Sequence, residues 1–335
     1  MSSFFQQSAY ALISQYPEDF PLLKIQYVLD WQAIEHILHS KKARYIRDNG
    51  GRPSYPLLSM FKAILLGQWH SLSDPELERS LVTRLDFFLF CNFDELNIPD
   101  HSTLNRFRNW LMQDNTLDEL IELINQQLAQ KQLKVEKAKA AIVDATIVQT
   151  AGGKLKKAVE TTENKVVDTP ATKDKDARWT VKGGHYHLGY KLHICTDEEG
   201  YIEKVHVTDA SAADVSHLKP LVDDVDAGIR VFADKGYDSQ ANRDILEDRG
   251  LKDGIMRKAH RGKPLSEENK MRNKGLSKIR YRVEQSFAIL HRKFRCKRAS
   301  YFGLAKVKGQ MQLKVICLNL LKAANKLRLI TPIAA

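Results

Sequence analysis

The run AAIVDATIV, residues 140–148, constrains the fold more than any other stretch of the chain. It is short, apolar and β-branched, the pattern of a buried strand. Before it, apolar residues recur at helical spacing. After it, short β-branched runs alternate with helical patterns. A strand, a hairpin and then strand–helix alternation build a mixed α/β sheet. The expected organisation is therefore an all-helical domain over residues 1–135, an α/β domain over 136–327 and a short tail over 328–335.

Three helices of the first part can be placed from their signals. In LSDPELERSLVTRLDFFLF, Ser73 or Asp74 is a cap and Pro75 falls in the first turn, where its missing N–H costs little. In PDHSTLNRFRNWL, Ser102 is the expected cap, with Leu104, Phe107 and Leu111 on one face. In TLDELIELINQQL, Leu117, Leu120, Ile121, Ile124 and Leu128 make a single stripe.

In the second part, residues 183–211 read as two strands joined by the acidic turn TDEEG, and IRVFADKGY as a further strand ending in a turn. Helices are expected from Ser239 to Arg249, in IRYRVEQSFAILHRKFR (279–295) and in GQMQLKVICLNLLKAANKL (309–327). Two segments lie outside the core: a polar loop at about 151–178, expected to be mobile, and a cationic segment at about 257–280.

The formal net charge of +11 predicts attraction to a polyanion, of which nucleic acid is the commonest. Cys91, Cys195, Cys296 and Cys317 form no CxxC pair, which argues against a zinc site and a disulfide framework and for reduced thiols in a cytoplasmic protein. The N-terminus lacks the pattern of a signal peptide. No apolar run reaches the roughly 18 residues of a membrane span.

Three acids stand in unusual company. Asp144 interrupts an apolar strand, where a carboxylate needs a partner, a metal or water. Asp234 follows another strand and serves either as a turn former before Gly236 or as a ligand. Glu284 sits among Arg280, Arg282, Arg292 and Lys293; it pairs with Arg280 one helical turn away, or it holds a cation against a polyanion. Two acids at strand ends and one on a helix form an oxygen donor set suited to Mg²⁺.

Taken in order, the acids resemble the Asp-Asp-Glu triad of ribonuclease H-like transposases, closest to the insertion-sequence-five family. The phrases GRPSY (51–55), ILLGQWHSLSDPELE, PDHSTLNRFR, IVDATIV, GYKLH, VHVTDASAAD, FADKGYDS and RYRVEQSF carry the resemblance over most of the chain. The last contains the family's Arg-x3-Glu signature as Arg280 and Glu284. Where the extended signature has a Tyr three residues before that Arg and a Lys seven after the Glu, this chain has Ser277 and His291.

The resemblance implies a ribonuclease H-like mixed sheet flanked by helices, with Asp144, Asp234 and Glu284 as catalytic metal ligands for Mg²⁺ or Mn²⁺. It implies a DNA transposase that cleaves the ends of its insertion sequence and joins the 3′-OH to target DNA. The partners implied are double-stranded DNA, at terminal inverted repeats and at the target, and a second copy of the chain on that DNA. Such an enzyme works in the bacterial cytoplasm, at the nucleoid. Arg280, His291, Arg292 and Lys293 are the candidate phosphate contacts. In the helical domain, burial of Leu104, Phe107 and Leu111 turns Asn105, Arg106 and Asn109 outward, and Asn and Arg are the side chains that read adenine and guanine edges.

Two other readings fit the same residues: a catalytically silent DNA-binding regulator, and a nuclease of similar fold that hydrolyses without joining. His185, His187 and His193 alternate along a strand, but no Cys or His cluster completes a metal site with them, so they are expected to be strand-face residues. Trp179 and Lys182 either touch DNA or pack beside the next strand.

Overall fold

A computed structural model describes residues 4–16, 19–43, 54–94, 97–152, 174–260 and 262–330. The chain divides into two compact units, one of residues 1–136 with 312–335 and one of residues 137–311.

Helices α1 (Phe4–Ile13), α2 (Pro21–Gln26), α3 (Trp31–Ala43), α4 (Leu57–His70), α5 (Asp74–Thr83), α6 (Leu85–Cys91), α7 (His101–Leu111) and α8 (Thr116–Gln130) build the first unit. Ser73 caps α5 in a reciprocal capping box with Glu76. The expected stripe of α8 is buried throughout, from Leu117 to Leu128. Helix α7 differs from its sequence reading in two ways. Its cap is Asp100, whose carboxylate accepts the Thr103 N–H at 2.7 Å, while Ser102 lies inside the first turn and donates to that same carboxylate. An ionised acceptor at the positive helix end outcompetes a hydroxyl. Its buried stripe is Leu104, Arg108 and Leu111, with Phe107 only half-buried. Arg108 is tolerated there because it pairs with Asp74 and donates to Asn105 Oδ1 at 2.8 Å.

Removing one partner of a buried pair leaves the other uncompensated. Arg108→Ala is therefore expected to destabilise the chain by about 3 kcal/mol, the low end of the range because Asp74 keeps 22% of its side chain exposed. A urea midpoint unchanged by the substitution would contradict this.

The second unit is built on a six-stranded sheet: β1 (Ala140–Gln149), β2 (Arg178–Lys182), β3 (His185–Thr196), β4 (Ile202–Asp209), β5 (Arg230–Ala233) and β6 (Lys252–Ile255). β3 pairs antiparallel with β1, β2 and β4, whereas β5 and β6 join β1 in parallel. The order β4–β3–β1–β5–β6, antiparallel on one side of β1 and parallel on the other, is ribonuclease H-like. Helices α9 (Lys219–Val222), α10 (Gln240–Asp248) and α11 (Glu267–Arg292) accompany the sheet, and α11 packs on β1 and β5. Helix α12 (Leu304–Ile330) begins in the second unit and ends in the first, so its residues from Gln312 onward group with the helical unit rather than with the α/β unit assigned to them from sequence.

The strand β1, the hairpin β3–β4, β5 and α10 fall where their sequence patterns put them. Strands β2 and β6 do not stand out in the sequence: RWTVK and KDGI are short, and KDGI carries two charges and a glycine. The cationic segment at 257–280 is half helix, because α11 starts at Glu267 behind a Ser266 cap. Most of the polar loop at 151–178, residues 153–173, lies outside the described residues, as do Gly51 to Pro53 of the GRPSY phrase. At its end Asp174 is buried and accepts from Tyr190 Oη at 2.5 Å and the Gly303 N–H at 3.1 Å.

Candidate active site

Parallel pairing sets the first two acids side by side. Ile142 is opposite Phe232 in the β1–β5 register. Two residues further along each strand, and so on the same face, come Asp144 and Asp234. β5 ends at Ala233, and Asp234 opens a 3₁₀ turn over Lys235–Tyr237. Its Oδ1 accepts the Gly236 N–H at 2.7 Å, and a Cβ on Gly236 would lie 2.8 Å from that oxygen. Glycine is what allows the carboxylate to fold over its own turn.

Helix α11 supplies the third acid. Leu276, Val283, Phe287 and Leu290 are its buried face, with Ser286 fastened to the Gly200 carbonyl at 2.7 Å. Arg280 lies one turn along from Leu276 and is 12% exposed. Its guanidinium reaches all three acids: Glu284 Oε1 at 2.6 Å, Asp144 Oδ2 at 3.5 Å and Asp234 Oδ2 at 3.9 Å. Three distant acids thus converge on one cationic group.

The charge balance is uneven. Burial raises the Asp144 carboxyl to about 6; Arg280 and the Ala145 N–H pull it back, Asp234 pushes it further up, and Lys182 pulls it down. Burial works against the charge of Arg280, yet Asp144, Glu284 and Asp234 hold its proton more firmly than usual. One guanidinium is stretched over three carboxylates, and it makes a short bond only to Glu284. A hard divalent cation fits this donor set better, because it supplies more charge at the point where the carboxylates meet. Among the described residues no group of three His, Cys, Asp or Glu side chains is arranged to hold an ion as it stands. Arg280 occupies the convergence point, so a metal ion there requires the guanidinium to shift.

The remaining predicted residues fall in different places. Arg292 and Lys293 are exposed at the end of α11. His291 faces inward: Nε2 is 3.1 Å from Thr146 Oγ1 and the ring stacks on Phe287. Thr146 is two residues beyond Asp144, so His291 braces that strand. Ser277 is exposed, its hydroxyl donating to the Lys274 carbonyl. In the helical unit, Asn105 and Arg106 are exposed and Asn109 half-buried. Asn105 Oδ1 accepts from Arg108 and from Asn109 Nδ2, and Arg106 donates to Thr103 Oγ1 at 2.9 Å.

Several groupings other than the three acids were not visible in the sequence. His193 is fully buried and clusters with His206 and His217, ring centroids 5.2–5.8 Å apart, away from His185 and His187. The three lie far apart in sequence, and only the β3–β4 register reveals that His193 faces His206. Asp214 pairs with Lys191 at 3.0 Å. Tyr237, three residues after Asp234, is wholly buried and its hydroxyl has no hydrogen-bond partner, a state that costs about 1–3 kcal/mol. The hydroxyl is held protonated by burial and then by Asp214, Asp144 and Asp234.

His193 and Asp144 give opposite pH responses. Burial lowers His193 to about 3, opposed by Asp214 and reinforced by His217, His206 and Lys191. Unfolding frees that imidazole to protonate, so stability falls with pH from about 6.5 to about 3, by roughly 4–5 kcal/mol in total. The raised Asp144 binds its proton more tightly when folded. Its contribution is fully present below about pH 4 and is lost as pH rises through about 6, roughly 3 kcal/mol in total. In the metal-free chain, His193→Leu is expected to leave a stability that rises from pH 6 to 4, and Asp144→Asn one that falls over the same interval. Urea midpoints for both variants check the opposed slopes; equal slopes would contradict the assignment.

Residues 136–320 match the family described as Transposase DDE domain, and residues 10–110 match Transposase domain (DUF772). The chain belongs to the DDE transposase family. It is 59% identical over 224 residues, 66% of its length and 78% of the relative's, to the "Transposase for insertion sequence element IS1106" of Neisseria meningitidis serogroup B. It is also similar to two solved structures. One is the piggyBac transposase synaptic complex with hairpin DNA, with a TM-score of 0.47 and 14% identity over 94% of this chain and 77% of that one. The other is the Mos1 transposase paired-end complex, with a TM-score of 0.21 and 11% identity over 74% of this chain and 83% of that one. As a DDE transposase the protein is a DNA-cleaving and strand-transferring enzyme of a class that uses divalent metal ions. No helix among its described residues is long and apolar enough to cross a membrane.

Proposed function

We propose that Asp144, Asp234 and Glu284 are the catalytic acids of this transposase, and that they hold Mg²⁺, or Mn²⁺ in its place, by a two-metal scheme. The observation that carries the reading is the convergence of all three carboxylates on the Arg280 guanidinium. Cations bound there would activate the attacking oxygen and stabilise the leaving one. The protein's own part is positional. β1 and the β5 turn hold two carboxylates on one sheet face, and α11 brings the third, Glu284, whose side chain is 52% exposed. Arg280, once moved from between the acids, is placed to neutralise the scissile phosphate. Arg292 and Lys293 hold flanking phosphates, and His291 acts through Thr146 and Asp144 rather than on DNA.

The substrates in this reading are the terminal inverted repeats of an insertion sequence and a target duplex. One set of acids serves both steps, because hydrolysis that frees a 3′-OH and attack by that 3′-OH each exchange one oxygen at phosphorus for another. Asn105, Arg106 and Asn109 contact the repeat; the Asn105–Asn109 and Arg106–Thr103 bonds orient them for it. Two ends require at least a dimer on DNA, working at the nucleoid in the bacterial cytoplasm.

The test uses a labelled duplex carrying the element's end and, separately, the same end already cut to a 3′-OH. The transposase is expected to nick the first and to join the second to plasmid DNA, both only with Mg²⁺ or Mn²⁺. Nicking without joining would favour a nuclease; binding without either would favour a silent regulator.

A further inference from the structure

Tyr281 is a large aromatic residue outside the core. Helix α11 buries Leu276, Val283, Phe287 and Leu290 on one face, and Tyr281 lies off that stripe, 56% exposed. The neighbours of a residue on a helix surface stand three and four positions away. For Tyr281 these are Ser277, Lys278, Glu284 and Gln285, all of them exposed. One turn further out come Lys274 on one side and Ala288 on the other, and Arg292 follows. The stripe is polar, cationic and built of small or flexible side chains, with one flat ring at its centre.

The ring also stands beside the acids. Tyr281 directly follows Arg280, whose guanidinium meets all three carboxylates. Its Cβ is about 5–6 Å from that of Glu284, the spacing of residues three apart on a helix. Helix side chains lean toward the N-terminus. The Glu284 carboxylate accordingly lies over the Arg280–Tyr281 turn, where it meets Arg280 at 2.6 Å. The same lean carries the Tyr281 ring over Ser277, which is small and turns its hydroxyl back to the Lys274 carbonyl at 3.0 Å. Room is thus left for a second flat group against the ring.

An aromatic face set among cations is the combination that holds a nucleobase and the phosphates beside it. Within a duplex both faces of a base are covered by its neighbours. A strand cut at the element's end, with the flanking DNA released, has a last base with one face open. That base adjoins the 3′-OH that must meet the acids. We propose that Tyr281 stacks on the last base of the cleaved strand and so holds its 3′-OH at the acids for strand transfer. The inference rests on the assignment of Asp144, Asp234 and Glu284 as the catalytic acids. Lys274, Lys278 and Arg292, on the same stripe, hold the backbone phosphates of that strand. Tyr281 touches the base alone and takes no part in metal binding or proton transfer.

The experiment compares wild type, Tyr281→Ala, Tyr281→Phe and Asp144→Asn on an intact duplex carrying the element's end and on the same end already cut to a 3′-OH. Joining of the pre-cut end to plasmid DNA is expected to fall about 10–100-fold in Tyr281→Ala, the range for one base–aromatic stack, and to stay at the wild-type rate in Tyr281→Phe. Nicking of the intact duplex should be unchanged in both, because there the base is still paired and stacked. The unfolding temperature should be unchanged too, since the ring is exposed. A direct readout places 2-aminopurine as the last base of the pre-cut end, bound by saturating protein with Mg²⁺ and no target DNA. Stacking quenches its fluorescence, so the end should be dim with wild type and Tyr281→Phe and bright with Tyr281→Ala. Fluorescence as low in Tyr281→Ala as in wild type would overturn the role of Tyr281, and with joining lost in Asp144→Asn it would leave the acids standing. Nicking and joining reduced alike in Tyr281→Ala, or a Tyr281→Phe chain as defective as Tyr281→Ala, would also overturn it. Wild-type joining in Asp144→Asn would instead remove the acid assignment itself.

Discussion

Asp144→Asn is expected to slow end cleavage by about a thousandfold to ten-thousandfold, a loss of roughly 4–5.5 kcal/mol of transition-state stabilisation. The size follows from the metal-ligand role proposed for the residue. Asparagine keeps the shape of the side chain and its bond from the Ala145 N–H, but offers a neutral amide where a charged oxygen has to meet a cation. DNA binding should be nearly unaffected, since the repeat contacts assigned to Asn105, Arg106 and Asn109 belong to the helical unit. The folded chain should not suffer either. At pH 7 the raised Asp144 carries a charge it would hold more cheaply unfolded, so its loss is expected to be neutral or stabilising in the absence of metal. A variant that binds ends, melts no lower than wild type and fails to nick would fit. One that nicks at the wild-type rate would refute the acid's role.

The second large effect belongs to Arg280→Ala, and it has the opposite character. Without the guanidinium, Asp144, Asp234 and Glu284 lose the cation that now links them, and Asp144 has only Lys182 left among the cations that act on it. The expected cost to the metal-free protein at pH 7 is about 3 kcal/mol, the lower part of the range for breaking a buried pair. Protonating Asp144 relieves the repulsion, so the deficit should shrink from pH 7 toward pH 5. Divalent cations should relieve it too, because an ion that binds only the folded state stabilises it in proportion to the logarithm of its concentration. The unfolding temperature of Arg280→Ala is thus expected to climb more steeply with Mn²⁺ than that of wild type, in which the guanidinium competes for the same carboxylates. Identical metal responses in the two proteins would mean that Arg280 and the ions do not share a site.

These expectations show how much the sequence could reveal. The three acids were legible because each broke a local rule: Asp144 in a strand of Ile and Val, Asp234 where a strand turned, Glu284 alone among cations. The mixed α/β character of the second part was legible from the alternation of runs after Ala140, whereas β2 and β6, and with them the strand order, were not. The role of Arg280 was half legible, since its spacing to Glu284 is a helix property but its reach to Asp144 and Asp234 needs the β1–β5 register. Tyr237 and the His193–His206–His217 cluster were hidden, because an aromatic after a turn and histidines on strands look like ordinary core until the fold brings other elements against them. Arg108 was not placed from the sequence, because its burial depends on Asp74, thirty-four positions earlier. His291 stands at the same kind of position, its contact with Thr146 invisible until α11 lies on β1.

The most direct measurement is Mn²⁺ binding to the purified, DNA-free chain, read by electron paramagnetic resonance for wild type and for Asp144→Asn, Asp234→Asn and Glu284→Gln. If the three carboxylates form one cation site, each single substitution weakens the same binding event by tenfold or more, and no pair of substitutions is additive. Binding that survives any one of them at wild-type strength would contradict the account.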